Sequence, residues 1–436
     1  VLIPNTFMNI HLKTLGCRLN EAELETWSRE FHQFGHDMTL TPDNADIIVI
    51  NTCAVTEEAV KKSKKLLRKS HRDNPDAKLV ISGCYASLSP DETLSIEGVD
   101  LVVPNMEKSQ LVSIIHEKLG IEADRQNETA DSNQLLFSGR QRAFIKVQDG
   151  CRYRCTFCIV TVARGQESSR SIEEIVNEIN FLVSQDIKEV VITGVHLGGY
   201  GQDRGTNLVD LVQAILESTG IERIRMGSLE PWELSEGFWE LFDNPRVMPH
   251  LHLPLQSGAD SVLRRMARRC KTPDFEQLLY KARQVQPDFN ITTDIIVGFP
   301  GETEEEWQQS LAFIERMNFG HVHIFAYSPR EGTKAATLPN PVSRELKRQR
   351  SDILHQVAEK MKHNNLKMLF NKTAEVLFEG NQTLNMDGTI TWSGYTPNFQ
   401  RIRVKTTRND LCNQILKVKI SNQIEDNILL ADLVDE

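Results

Sequence analysis

Six of the eight cysteines in this 436-residue chain fall in two groups of three. The tighter group is Gly150-Cys151-Arg152-Tyr153-Arg154-Cys155-Thr156-Phe157-Cys158, where spacings of four and three residues let three thiolates converge. Three thiolates can hold an iron–sulfur cube and leave its fourth iron without a protein ligand, and an open iron can take a substrate or cofactor. The segment therefore reads as a catalytic cluster loop. Tetrahedral zinc is the competing reading; it usually takes a fourth side chain, and no Cys or His follows at zinc-finger spacing.

The wider group consists of Cys17, Cys53 and Cys84, which end the runs Leu15-Gly16-Cys17, Asn51-Thr52-Cys53 and Ser82-Gly83-Cys84. Strand-like runs at Ile10–Leu15, Ala45–Ile50, Lys78–Ser82 and Val99–Val103 alternate with helical periodicity near Glu21–Phe34, Glu57–His71 and Lys108–Leu119. Such alternation predicts a parallel sheet covered by helices, which binds ligands beyond the carboxyl ends of its strands. One strand-end Cys is ordinarily a small buried hydrophobe. Three on successive strands predict a second three-thiolate cluster.

After a polar, aperiodic linker at 123–140 come six more strand-like runs: Ala143–Val147, Val190–Gly194, Ile224–Leu229, Leu251–Leu255, Thr292–Val297 and Val322–Ser328. Helical patterns at Ser171–Ser184, Leu208–Glu217, Ala259–Cys270 and Thr303–Arg316 separate them. Six β/α units fall short of the eight of a closed barrel, so an open partial barrel is expected, with the cluster loop after its first strand. Its strand ends carry small and polar groups: Thr193-Gly194-Val195-His196, Ser228-Leu229-Glu230-Pro231, Gln256-Ser257-Gly258 and, within the fifth strand, Thr293-Asp294. On the period of two, His250, His252 and Gln256 share a face, as do His321, His323, Phe325 and Tyr327. These could line the lumen, although ordinary hydrogen-bonded histidines are the simpler reading. A long charged helix at Glu345–Leu369 precedes short strands that predict a small all-β barrel. The expected domains are 1–122, 141–369 and 370–436.

A net charge of −10 argues against an indiscriminate nucleic-acid binder. It leaves local sites open, because charges are screened over about 8 Å at physiological ionic strength. Basic stretches occur at Lys61–Lys69, at Arg264, Arg265, Arg268, Arg269 and Lys271, and at Arg401, Arg403 and Lys405, the last near Tyr395 and Phe399. Phosphate contacts with base stacking are one use of such surfaces, and solvated faces the other. The absence of an 18-residue apolar run and of a signal-peptide pattern gives a cytoplasmic protein without membrane association as the expectation.

Cys151-x3-Cys155-x2-Cys158 on a six-unit β/α domain resembles the radical S-adenosylmethionine superfamily, and the strand-end cysteines resemble its methylthiotransferase branch. Thr14-Leu15-Gly16-Cys17-Arg18-Leu19-Asn20, Asn51-Thr52-Cys53-Ala54-Val55-Thr56, Thr193-Gly194-Val195-His196-Leu197-Gly198 and Ser228-Leu229-Glu230-Pro231 are most similar to the MtaB group. One departure is Thr161, where relatives more often carry proline. The resemblance implies an amino-terminal domain with an auxiliary cluster, a radical core and a carboxyl-terminal TRAM-like RNA-binding module. It further implies two 4Fe-4S clusters, one on Cys151, Cys155 and Cys158 and one on Cys17, Cys53 and Cys84, with S-adenosylmethionine as both methyl donor and radical source. Phe157, Thr193, Gly194, Ser228, Glu230, Gln256, Ser257 and Asp294 are the implied cofactor-binding residues. The implied substrate is tRNA carrying threonylcarbamoyladenosine, methylthiolated at carbon 2 of its adenine, with an external electron donor and a sulfur source. Isopentenyladenosine of tRNA and a ribosomal-protein aspartate are the neighbouring substrates. A two-cluster electron carrier, and an RNA-binding protein with structural zinc, are readings of other classes.

Overall fold

The computed structural model describes residues 7–121 and 141–434, so the expected linker at 123–140 lies outside the described residues. These residues gather into two compact bodies: Val1–Phe137 with Gln148–Ser168 and Ser328–Ala336, and Ser138–Val147 with Ser169–Tyr327 and Thr337–Glu436. Among the described residues no helix is long and apolar enough to cross a membrane.

In the first body β1 (Asn9–Thr14), β2 (Asp37–Met38), β3 (Ile47–Thr52), β4 (Lys78–Gly83) and β5 (Val99–Val103) form a parallel sheet ordered β2-β1-β3-β4-β5. They are joined by α1 (Arg18–Gln33), α2 (Glu57–Asp73), the short α3 (Cys84–Leu88) and α4 (Pro90–Leu94), and α5 (Leu111–Leu119). The central strand β3, Ile-Ile-Val-Ile-Asn-Thr, is buried throughout because helices cover both of its faces. Trp27, Phe31, Leu111 and Ile115 of α1 and α5 pack on one face, and Leu67 and Tyr85 of α2 and α3 on the other. Strand order reverses between β1 and β3, and ligands of such sheets bind beyond the carboxyl ends at that switch. Cys17 stands three residues past the end of β1, and Cys53 and Cys84 directly follow β3 and β4. The predicted alternation is present; the two-residue β2 and the short helices α3 and α4 were unforeseen.

Past this sheet lies a single turn of helix, α6 (Val160–Arg164), still in the first body. The strands β6 (Arg142–Asp149), β7 (Ser168–Ser169), β8 (Glu189–Gly194) and β9 (Arg223–Met226) form a sheet ordered β7-β6-β8-β9, and β10 (His250–His252), β11 (Asn290–Val297) and β12 (His321–Ala326) form another. Bridges from Ile224 to Val247 and from Ser228 to His252 link the two, giving the open partial barrel.

Outside it run α7 (Ile172–Ser184), α8 (Leu208–Ser218), α9 (Asp260–Arg265), α10 (Thr272–Val285), α11 (Glu304–Met317) and α12 (Arg344–Lys367). Capping boxes at Ser171, Asn207 and Thr303 start α7, α8 and α11 by satisfying otherwise orphaned N–H groups. α9 is half the length expected from Ala259–Cys270, because Ala267 takes a left-handed backbone (φ 57°) that ends it. Ile295, Val297 and Val322 point at Trp307, Ile314 and Leu354 in the core. The alternate residues of β11 and β12 therefore face away from those helices.

Last come β13 (Thr373–Leu384), β14 (Ile390–Tyr395), β15 (Arg401–Thr406), β16 (Ile415–Glu425) and β17 (Ile428–Leu433), a closed barrel around Phe378, Trp392 and Val404. The expected base-stacking use of Tyr395 and Phe399 does not match their placement. The rings stack on each other at 4.8 Å, with the Arg142 guanidinium 4.5 Å from Tyr395 and that of Arg225 4.5 Å from Phe399. Cation–π contact with buried arginines of their own body holds both rings inward. The Arg403 and Lys405 charges are partnered too, by Asp426 at 3.6 Å and Asp387 at 2.7 Å.

Candidate active site

The strand-end cysteines converge because glycine makes room for them. Gly16 (φ 109°) leaves β1 in a conformation that L side chains avoid, and a Cβ there would stand 2.8 Å from Cys53 Cβ and 2.9 Å from its Sγ. Gly83 (φ 102°) does the same before Cys84, against the Thr52 backbone. Asn20 ties the ends of β1 and β3 by donating to the carbonyls of Leu15 (2.7 Å) and Thr52 (3.3 Å). Side-chain amides reach two of the thiols, with Cys17 Sγ 3.7 Å from Asn20 Oδ1 and Asn105 Nδ2 donating to Cys84 Sγ at 3.8 Å, while backbone groups of Ala54 and Val55 reach the third, Cys53. Burial raises the Cys53 thiol pKa, and the neighbouring Cys84 and Cys17 add to the rise. Positive charge, such as that of iron, favours the thiolate form that ligation needs. Three strand-end sulfurs, brought near one another by glycines whose missing Cβ permits the close approach, fit one face of an iron–sulfur cube.

The cluster loop is shaped by local bonds. Gly150 (φ 70°) presses its Cα against the Gln166 backbone, Cys151 N donates to Gly165 O at 3.4 Å, and Cys158 N donates to Cys155 O at 3.0 Å. Thr161, the departure from proline, donates its hydroxyl to Tyr153 O at 2.9 Å and so braces the loop. All three thiols, like the Phe157 ring, are half-buried, so the loop can present them to a cluster.

Sequence reasoning missed the residue that joins these two segments. Arg164, at the end of α6 and buried, reaches Asn20 Oδ1 (2.8 Å), Glu23 Oε1 (2.9 Å) and Asp149 Oδ1 (3.0 Å). Glu23 also takes Lys108 Nζ at 2.5 Å and Asn51 Nδ2 at 2.8 Å. Burial would lower the Arg164 pKa, but Glu23, Asp149, Cys84 and Cys17 outweigh it and raise it well above the ordinary arginine value. A permanent cation thus stands beside two of the sulfurs, and it counters the negative charge that three thiolates bring. The only hint in the sequence was Asn20 and Glu23, one helical turn apart after Cys17.

In the second body the predicted strand-end residues occupy neighbouring strands. Thr193 is buried next to Gly227, which donates its N–H to Ile192 O at 2.8 Å, and exposed Ser228 bridges to His252. Gln256 N donates to Asp294 O at 2.8 Å, and Asp294 Oδ1 lies 3.3 Å from His252 Nε2. Ser257 is 2% exposed and its hydroxyl accepts from Ala259 N, so it serves the turn into α9. Glu230 sits 3.7 Å from His196, which also meets Glu233 at 2.5 Å. Burial pushes the Glu230 carboxyl up to about 7, against the pull of His196 and Arg268.

Comparison with known proteins agrees with this geometry. Uncharacterized protein family UPF0004 matches residues 9–104, and the Radical SAM superfamily matches residues 145–314. The chain is 38% identical to the threonylcarbamoyladenosine tRNA methylthiotransferase MtaB of Thermotoga maritima, over 85% of this chain and 86% of the relative. The chain belongs to the radical S-adenosylmethionine methylthiotransferase family. Its match to the tRNA-2-methylthio-N(6)-dimethylallyladenosine synthase of Akkermansia muciniphila is 32% over 94% of this chain and 96% of that one. Among solved structures it is similar in fold to the radical S-adenosylmethionine methyltransferase TsrM of Kitasatospora setae (TM-score 0.55, 15% identity, 76% of this chain and 77% of that one). As a member of this family the chain is an enzyme that transfers a sulfur-containing group, and it uses a 4Fe-4S cluster and S-adenosylmethionine.

Proposed function

We propose that this enzyme adds a methylthio group to carbon 2 of threonylcarbamoyladenosine beside the anticodon of tRNA. Cys151, Cys155 and Cys158 hold the cluster that meets S-adenosylmethionine, and Cys17, Cys53 and Cys84 hold an auxiliary cluster. An aromatic carbon–hydrogen bond is beyond a general base working near neutral pH; reductive cleavage of S-adenosylmethionine at a four-iron cluster supplies a carbon radical able to break it.

The chain's own side chains bind and shield. Phe157, between two of the thiolates, covers the cofactor's adenine. Thr193, Gly194, Ser228, Glu230 and Gln256 offer polar groups to its ribose and amino acid, and Ser257 and the Asp294 backbone carbonyl, which accepts from Gln256 N at 2.8 Å, position the Gln256 turn. Arg164 offsets charge on the auxiliary thiolates, and Asn20 and Asn105 orient Cys17 and Cys84. An external electron donor, a sulfur source and a cytoplasmic setting complete the reading.

The observation that carries the auxiliary cluster is the convergence of three strand-end thiols at the switch point of a parallel sheet. The isopentenyladenosine substrate is less favoured, since the stronger relative acts on threonylcarbamoyladenosine. Mass spectrometry of tRNA nucleosides from a deletion strain tests the function. The methylthio-threonylcarbamoyl nucleoside should vanish and return with the gene, and its persistence rejects the reading.

A further inference from the structure

On the face of β10, β11 and β12 turned away from the helices, polar side chains form two rows. Strand register pairs His252 with Thr292, Thr292 with His321, and Asp294 with His323. The deeper row is His250, Thr292 and His321. His250 is buried against the Phe399 ring at 4.9 Å, and burial lowers its pKa and takes that of His321 to about 4, so this row is neutral. The nearer row is His252, Asp294 and His323, whose polar atoms lie within 4.8 Å of one another. His252 and Asp294 are partly open and His323 is exposed. The rows are connected: His252 Nδ1 lies 2.9 Å from Thr292 Oγ1, which fixes the ring and turns Nε2 towards Asp294. The His323 ring is held edge-on between His252 (5.4 Å) and His321 (4.5 Å).

We propose that the His252–Asp294–His323 row recognises the threonylcarbamoyl substituent of the target adenosine. This rests on the function proposed above and names the side chains that select its substrate. The substituent carries ureido N–H groups and a carboxylate, so it needs an acceptor and a donor side by side. Asp294, oriented by His252 Nε2 at 3.3 Å, is the acceptor, and His323 donates to the carboxylate. An isopentenyl group offers no donor to Asp294 and no acceptor to His323, and covering the Asp294 carboxylate with it costs that group its hydration, which is how such a site rejects an apolar analogue. Thr292 positions His252, and His321 positions His323.

The test compares binding of two anticodon stem-loop RNAs, one with threonylcarbamoyladenosine at the target position and one with adenosine, to the anaerobically reconstituted full chain. The wild type should prefer the modified RNA. His323→Phe, which keeps a ring but removes its N–H, should weaken binding of that RNA by about 10- to 100-fold, the worth of a hydrogen bond to a charged group, and leave the plain RNA unaffected. His323→Gln, which restores an N–H donor, should recover part of the loss, with iron content confirming that each variant is folded and loaded. A wild type without preference rejects the threonylcarbamoyl substrate itself. A preference that survives in His323→Phe overturns the row while leaving the function standing. A divalent ion retained by the wild type and lost from His323→Phe makes the row a metal site and also overturns direct recognition.

Discussion

The two cysteine triplets reach similar donor sets by opposite routes. Cys151, Cys155 and Cys158 lie within one loop, bent by Gly150 and by short-range bonds and tied at Thr156 O to the distant Ala335 N at 2.8 Å. Cys17, Cys53 and Cys84 come from three strands and meet only because the β1-β3-β4 register brings those strand ends level. The loop thiols are brought together by nearness in the chain, so their spacing is set by eight residues of local backbone. The strand-end trio is a tertiary structure and depends on Asn20, Asn105 and the Arg164–Glu23–Lys108 network.

Removing thiols has the largest expected effect and separates the triplets. Cys155→Ala should abolish deoxyadenosine formation from S-adenosylmethionine as well as methylthiolation. Cys53→Ala should keep deoxyadenosine measurable by chromatography while methylthiolated product disappears. Intact methylthiolation in that variant would remove the auxiliary cluster from the mechanism.

Arg164→Met comes next, because it leaves Glu23 and Lys108 buried around a missing cation. Breaking a buried pair costs about 3–5 kcal/mol, so chemical denaturation should shift by that order. Iron content should fall more than in a loop variant such as Thr161→Pro. Equal iron in the two would mean that the trio is no more dependent on tertiary structure than the loop.

Glu230 belongs to neither triplet and gives a pH signature. Its folded value, about 7, lies above the ordinary 4.5, so its contribution to stability is complete below about pH 4.5 and is lost as pH rises through about 7. The loss is at most about 3 kcal/mol. Glu230→Gln should flatten the melting-temperature profile over that window with both clusters retained; an unchanged slope would place the titration elsewhere.

The smallest effect belongs to Thr161→Pro. Proline is tolerated in a first helical turn, and the change removes one hydrogen bond to Tyr153, worth about 1 kcal/mol. A few degrees of thermal shift without change in product would confirm that the loop keeps its shape without this bond.

Much of this was legible in the chain. Period-two and period-3.6 runs located most strands and helices, and both triplets stood at turns that Gly150, Gly16 and Gly83 make possible. Where reading failed, a local backbone turn or a distant partner had intervened. Ala267 cut α9 short, and Arg142 and Arg225 drew Tyr395 and Phe399 inward. The pairing of Arg164 with Glu23 spans 141 positions and leaves no period to detect. By itself the sequence determined the chemistry available here: three thiolates in one loop, three more at strand ends, and polar groups at barrel mouths. Residue type and local spacing suffice for that, since they decide which atoms can ligate and which way a strand or helix faces. Only the tertiary structure decided that Cys17, Cys53 and Cys84 share one place, that a buried arginine stands beside them, and that His252, Asp294 and His323 form one row. Those facts depend on strand order, register and burial, through which side chains far apart in the chain become neighbours.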